Sequence, residues 1–325
     1  MNQTVLGVED LHVWFDLAGG GQLHAVRGVS FSLERGQRFG LVGESGCGKT
    51  TTVLALMGLL PANATVGGRV LLGGDDVLAR GEESAREHRW KDVAMVFQGA
   101  MNAFNPVRTI GRQIVDPMEL HRVARGKEAE QRAGELLERV GIPASRAKRY
   151  PHEFSGGMRQ RAAIAMALAC EPRVLLADEP TTALDVMVQA QILDLLVELS
   201  DELGLTLVLV THDLPVVAQV CQRAAVMYAG SVMEEGSTTR LYHDPRHPYT
   251  RLLFSATPDL SGQRSVVSIP GGPPRLDREI AGCPFAPRCD RVFAPCGDQA
   301  PRRIQFEPGH HAVCHLNDPA IVKAS

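Results

Sequence analysis

Two stretches of this chain carry groups suited to phosphate, and they lie far apart in the sequence. Gly43-Glu44-Ser45-Gly46-Cys47-Gly48-Lys49-Thr50 follows the Gly, four residues, Gly-Lys-Ser/Thr pattern of a phosphate-binding loop. The glycines let the backbone wrap a phosphate with its N–H groups turned inward. Lys49 has the reach for β- and γ-phosphate oxygens, Thr50 offers a hydroxyl to Mg²⁺, and Thr51 extends the same turn. A glycine-rich turn without a ligand is the plain alternative. Against it, residues 38–42 read as a strand entering the loop and residues 51–57 as a helix leaving it. The second stretch is Phe154-Ser155-Gly156-Gly157-Met158-Arg159-Gln160-Arg161. No hydroxyl or acid there is arranged to attack anything. It offers exposed N–H groups, a Ser hydroxyl and the positive end of a helix, which suit an anion such as a γ-phosphate. One complete phosphate site plus a second half-site implies contact with nucleotide held by another subunit.

A third stretch supplies acids. Residues 174–180, Val-Leu-Leu-Ala-Asp-Glu-Pro, form a nearly continuous apolar run, as in a strand covered on both faces of a parallel sheet. Asp178 at its carboxyl end is placed to hold Mg²⁺, directly or through water. Glu179 follows where a carboxylate orients or deprotonates an attacking water. A solvated strand end is the bland reading of the two acids, and the phosphate loop in the same chain argues against it.

The phosphate loop, the Ser155-Gly156-Gly157 turn, Asp178-Glu179-Pro180 and Thr211-His212-Asp213 occur in the order of an ATP-binding-cassette (ABC) transporter ATPase. Over roughly the first 255 residues the chain resembles that family. The resemblance implies an α/β P-loop NTPase fold with a mixed sheet, ATP and Mg²⁺ as cofactors, and a helical subdomain at about residues 99–160. It implies that Gln98 senses Mg²⁺ and water, so that Thr50, Gln98 and Asp178 form the Mg²⁺ set. Asp185 then communicates across a dimer, and His212 is the switch on the γ-phosphate beside the catalytic Glu179 and Gln98. Phe15 or its neighbour Trp14 stacks on adenine.

A narrower resemblance, to the D-type ATPase of oligopeptide and dipeptide permeases, rests on Thr181-Thr182-Ala183-Leu184-Asp185-Val186, His247-Pro248-Tyr249-Thr250 and Ile269-Pro270-Gly271-Gly272-Pro273-Pro274. That branch also includes nickel importers. The resemblance implies a second ATPase subunit (an F-type paralogue), two membrane permease subunits, an extracytoplasmic solute-binding protein, and a peripheral place on the cytoplasmic face of the membrane. One departure follows Gln98, where Gly99-Ala100 replaces the usual Asp-Pro. A soluble ABC ATPase acting on DNA or ribosomes is the competing class. One phosphate loop, no sustained heptads and a net charge of −3 argue against it and against nucleic acid as a partner.

Behind these motifs, the 325 residues suffice for one large α/β domain, expected at 1–257, and an irregular extension at 258–325. No apolar run reaches the roughly 20 residues of a membrane helix, and no secretory leader is expected. Residues 127–140 read as a helix. Four of the seven cysteines, Cys283, Cys289, Cys296 and Cys314, crowd the extension, separated by five, six and seventeen residues. Disulfides do not suit an intracellular ATPase. Those spacings name no particular metal module. Four soft thiolates in a Pro-rich segment with little core suit a structural staple, either [4Fe–4S] or Zn²⁺, and unliganded thiols are the remaining reading. The resembled branch implies [4Fe–4S]. His310, His311 and His315 are candidate substitute ligands but are expected to face solvent, with Cys47, Cys170 and Cys221 inert. The metal centre that Cys283, Cys289, Cys296 and Cys314 would bind is expected to stabilise the region after Pro258 and to take no part in hydrolysis.

Overall fold

A computed structural model describes residues 4–99, 103–255 and 269–322. The expected boundary at 257/258 and Ala100 lie outside the described residues. The chain divides into two compact units: Met1–Gly7 with Ser32–Gln37 and Val70–Leu209, and Val8–Phe31 with Arg38–Arg69 and Val210–Ser325. Three long strands pass through both units, β1 (Thr4–Asp16), β2 (Gln22–Glu34) and β4 (Ala64–Leu72), the strand β3 (Arg38–Val42) and helix α1 (Lys49–Leu56) falling between the last two.

In the first unit, β5 (Asp75–Asp76) pairs antiparallel with the end of β4, and α2 (Glu82–His88) follows. β6 (Val93–Val96) then leads to the helices α3 (Ile110–Leu120), α4 (Gly126–Arg139) and α5 (Gly156–Ala167). β7 (Val174–Asp178) pairs parallel with β6, Val93 opposite Val174 and Val96 opposite Ala177, and every residue of both strands is buried. That burial is what the unbroken apolar run required. α4 matches the expected helix within one residue at either end and buries Ala129, Ala133 and Leu137, spaced four apart on one face. α6 (Val186–Leu203) begins at Asp185, whose Oδ1 accepts from Val188 N at 3.0 Å, and ends at Gly204 in the left-handed region.

β8 (Thr206–Thr211) carries the chain into the second unit, followed by α7 (Leu214–Val220), β9 (Arg223–Tyr228), β10 (Ser231–Ser237), α8 (Thr238–His243) and α9 (Pro248–Ser255). There β3 runs parallel to β9, Leu41 opposite Ala225, while β10 returns antiparallel, Ser231 opposite Tyr228. The mixed sheet continues into the C-terminal segment. β12 (His310–Val313) pairs antiparallel with β10, and β11 (Arg303–Glu307) with β12, before the short α10 (Pro319–Val322).

The extension is thus less irregular than its composition implied, and the histidines are the reason. His310, His311 and His315 are each 3 % exposed, not solvent-facing. Burial is tolerable because each has a polar partner. His310 Nε2 lies 3.0 Å from the buried Glu234 carboxylate, Arg303 donates to His311 Nδ1 at 3.0 Å, and His315 Nε2 donates to Gln299 O at 2.8 Å. Among the described residues no helix is long and apolar enough to cross a membrane.

Candidate functional site

The phosphate loop lies in the second unit, between β3 and α1. Gly43, Gly46 and Gly48 have φ of 152°, 78° and 103°, values that L side chains rarely adopt. Space excludes other residues as well. A Cβ on Gly43 would stand 2.2 Å from Met227 O, and one on Gly48 would stand 2.6 Å from Ala25 O. The loop is wrapped against neighbouring backbone on both sides. Lys49 is 6 % exposed, and its Nζ donates to Gly43 O at 2.7 Å and Glu44 O at 3.0 Å. Both acceptors are neutral carbonyls. A buried ammonium held in this way fits an anion arriving from outside. Thr50 and Ser45 are exposed, Thr51 is half-buried, and Thr52 Oγ1 donates to Gly48 O at 2.9 Å. Burial pushes the thiols of Cys47, Cys170 and Cys221 up, the last two to about 11 and about 12. They carry little thiolate at neutral pH, as their inert reading required.

The loop has neighbours that the motifs alone did not name. Tyr249, fully buried, accepts from Glu44 N at 3.0 Å. Arg288, from the C-terminal extension, holds the Glu44 carboxylate through both Nη atoms at 2.7 and 3.1 Å. A cavity of about 220 Å³ beside the loop is lined by Glu44, Ser45, Gly46, Tyr228, Pro273 and Pro274, among others. The extension therefore packs on the nucleotide loop, from which it is far separated along the chain. Two clues were present in the sequence, His247-Pro248-Tyr249 and Pro287-Arg288-Cys289. Neither states a contact across that separation.

His212 is exposed at the end of β8 in the same unit. On β1, Trp14 stacks on His12 and His24 at 5.2 and 4.7 Å between ring centroids. His12 and His24 also stack on each other, at 5.2 Å, so the three rings form one cluster. Phe15 is half-buried and, one residue along an extended strand, points to the opposite side.

The first unit holds the carboxylates and the second phosphate-type turn. Asp178 is 1 % exposed at the end of β7. Glu179, half-buried, has φ of 43° and accepts from Gln98 Nε2 at 2.9 Å and Thr182 Oγ1 at 3.0 Å. The structure thus brings Gln98 and Glu179 together, and it adds Thr182, which sequence reading did not single out. Ser155 caps α5, its Oγ accepting from Met158 N at 3.3 Å, and stays exposed. Val188, in the first turn of α6 after Asp185, packs on this helix: a Cβ on Gly157 would stand 2.6 Å from Val188 Cγ1. Val186 and Met187 beside it are 79 % and 72 % exposed.

The four extension cysteines are free thiols, and all four line one narrow cavity with His247 and Phe285. Burial pushes Cys283 up to about 11 and Cys314 to about 12, and the facing thiols push both the same way. Arg291 N donates to Cys289 Sγ at 3.4 Å. Nε2 of the buried His247 has no hydrogen-bond partner among the described residues. Among the described residues no three His, Cys, Asp or Glu side chains are arranged to hold a single metal ion.

Residues 26–182 match the family described as ABC transporter, and residues 233–296 match the oligopeptide/dipeptide transporter C-terminal region. The dipeptide transport ATP-binding protein DppD of Bacillus subtilis is 45 % identical over 322 residues, covering 97 % of this chain and 96 % of that protein. The oligopeptide transport ATP-binding protein OppD of Escherichia coli is 44 % identical, covering 96 % of this chain and 93 % of its own length. Among solved structures, a dimeric post-hydrolysis ATP-binding cassette bound to ADP and Pi aligns with a TM-score of 0.64. It is 28 % identical and covers 72 % of this chain and 98 % of that one.

The close approach of α5 and α6 yields a stability prediction. Gly157→Ala is expected to destabilise the protein by about 1–3 kcal/mol through overpacking against Val188. Val188→Ala in the same chain should recover part of that loss. Urea unfolding of the two single variants and the pair checks it, and strictly additive losses would disprove the contact.

Proposed function

Because the chain belongs to the ABC transporter ATPases of the oligopeptide/dipeptide branch, we propose a division of labour among its residues. The protein hydrolyses ATP to energise peptide import. ATP and Mg²⁺ are its cofactors. In this reading the backbone of residues 43–48, with Lys49, Thr50 and Thr51, binds the phosphates, and Phe15 stacks on adenine. Thr50, Gln98 and Asp178 hold Mg²⁺. Their hydroxyl, amide and carboxylate oxygens are the hard donors that such an ion prefers. Glu179 orients or deprotonates the attacking water, and His212 contacts the γ-phosphate.

Ser155, Gly156 and Gly157 complete the site of a second ATPase subunit, and Asp185 carries the signal across. The exposed Ser155 turn packed beside the exposed Val186 and Met187 supports this partner-facing role. Nucleotide that binds the closed pair more tightly than the open one then drives closure, and hydrolysis with phosphate release reverses it. An F-type paralogue is the proposed second ATPase. Two permease subunits and an extracytoplasmic binding protein complete a transporter, with this chain peripheral on its cytoplasmic side.

The observation that carries the catalytic assignment is the pair of hydrogen bonds from Gln98 and Thr182 to one oxygen of Glu179. They fix the orientation of the carboxylate that, in this reading, meets the attacking water.

The extension cysteines suit a [4Fe–4S] cluster. Four free thiols lining one narrow cavity, with an N–H donor on Cys289 Sγ, are what supports that reading. A single Zn²⁺ needs thiolates about 3.8 Å apart in a tetrahedron. Zn²⁺ is the alternative occupant of the same four thiols. Bound there, the cluster would supply cross-linking of the extension, and Cys283, Cys289, Cys296 and Cys314 would hold it.

Two measurements follow. Glu179→Gln is expected to keep nucleotide affinity within about twofold of wild type while lowering ATP turnover of the assembled transporter by at least 100-fold, on the order seen for a lost catalytic base. Near-normal turnover removes Glu179 from the assigned role. Protein prepared without oxygen should be brown, with broad absorption near ~400 nm and about four irons per chain; stoichiometric zinc would select the alternative, and neither metal would leave the cysteines as thiols.

A further inference from the structure

The guanidinium of Arg288 is 7 % exposed, yet every one of its N–H groups has an acceptor. Nε donates to Pro270 O at 2.8 Å. Nη1 donates to Glu44 Oε2 at 2.7 Å and to Tyr228 OH at 3.2 Å. Nη2 donates to Glu44 Oε1 at 3.1 Å and to Ile269 O at 3.4 Å. An arginine has five such donors in a fixed fork, and here the fork is fully used. A tyrosine ring lies against it, with Arg288 Cζ 5.7 Å from the Tyr228 centroid. The partner residue is equally committed. Glu44 gives its N–H to Tyr249, its carbonyl to Lys49 and both carboxylate oxygens to Arg288.

Glu44 is also an oddity of charge. It places a carboxylate inside a loop whose task is to hold phosphate, where like charge opposes binding. Arg288 removes that opposition in two ways: it neutralises the carboxylate, and it fixes the side chain through a bidentate pair. The arginine reaches the loop because the turn Ala286–Arg288 presents it. That turn is closed by Ala286 N to Cys283 O at 3.0 Å and Arg288 N to Phe285 O at 2.9 Å. Phe285 is fully buried against Tyr228 and Tyr249, with centroids at 5.3 and 5.1 Å.

We infer that Arg288, supplied by the C-terminal extension, is a positioning residue of the nucleotide site that cancels the charge of Glu44 and holds the phosphate loop in its binding shape. The inference rests on the nucleotide-site reading above and assigns the extension a part in ATP affinity. The test uses the full chain, Mg²⁺ and a non-hydrolysable ATP analogue, with affinity read by titration and folding by thermal unfolding. Wild type is the control: if it does not bind the analogue, the nucleotide reading itself fails. If wild type binds, Arg288→Gln is expected to bind about tenfold more weakly, which is ~1.4 kcal/mol. Adding Glu44→Gln to that variant should restore most of the affinity, because the repelling carboxylate has gone with its partner. A purely structural role would not give this rescue. Affinity within twofold of wild type in folded Arg288→Gln overturns the inference, as does a double variant that binds no better than Arg288→Gln alone. Should Arg288→Gln not fold, Arg288→Lys, which keeps the charge but not the fork, is expected to lose affinity several-fold, and wild-type binding there overturns the inference too.

Discussion

The buried ammonium of Lys49, tied to the carbonyls of its own loop, is the constraint on which the rest of this protein turns. Lys49 donates to two neutral carbonyls of its own loop, so the loop must close tightly around it before any nucleotide arrives. Tight closure brings Met227 O and Ala25 O to distances where Gly43 and Gly48 admit no side chain. The flanking strand is constrained in turn. A Cβ on Gly40 of β3 would stand 2.5 Å from Val217 Cγ1, so α7 sits close enough to fix the strand that feeds the loop. Packing at interior density transmits such demands over several residues, since interiors deform little.

The two glutamates nearest the chemistry show how environment divides their work. Glu44 faces an arginine whose own pKa its carboxylate helps to raise, and it is held as a charged, fully bonded strut. Glu179 accepts from an amide and a hydroxyl. Neutral donors orient a carboxylate at about 1 kcal/mol each, whereas a charged partner binds it roughly twice as strongly. The left-handed backbone of Glu179, at φ of 43°, belongs to the same logic: strain of this kind persists only where the surroundings enforce a particular side-chain placement.

Much of this was legible in the sequence for reasons that are local. The phosphate loop, the strand before it and the apolar run ending at Asp178 are contiguous segments whose composition answers to neighbours a few residues away. Ser155 announced a helix start by residue type and caps α5, while Asp185, read only for a role across a dimer, also turns out to cap α6. What escaped the reading was long-range. Arg288 and Glu44 are 244 positions apart, and no periodicity links them. The histidines of β12 looked solvent-facing because histidine beside glycine and proline usually is. Their burial depends on Glu234 and Glu235 of β10, a pairing that only the register of the sheet creates. Thr182 was overlooked because a hydroxyl within a Thr-rich turn has no sequence mark for which acid it will meet.

The same long-range contacts change what the extension is. A Pro-rich segment with clustered thiols first reads as an appendage stapled for its own stability. Yet Cys283 and Cys289 bracket the turn that presents Arg288, and Phe285 of that turn is buried against Tyr228 and Tyr249, the residues that touch Arg288 and Glu44. Any group that fixes the thiols also fixes this turn. Whatever loosens them, by oxidation or loss of a bound group, acts on a side chain one residue from Cys289 and in direct contact with the phosphate loop. The energy that orders the extension is therefore spent in part on the shape of the nucleotide site. Stabilising the fold and tuning the affinity for ATP become one task, carried by one arginine.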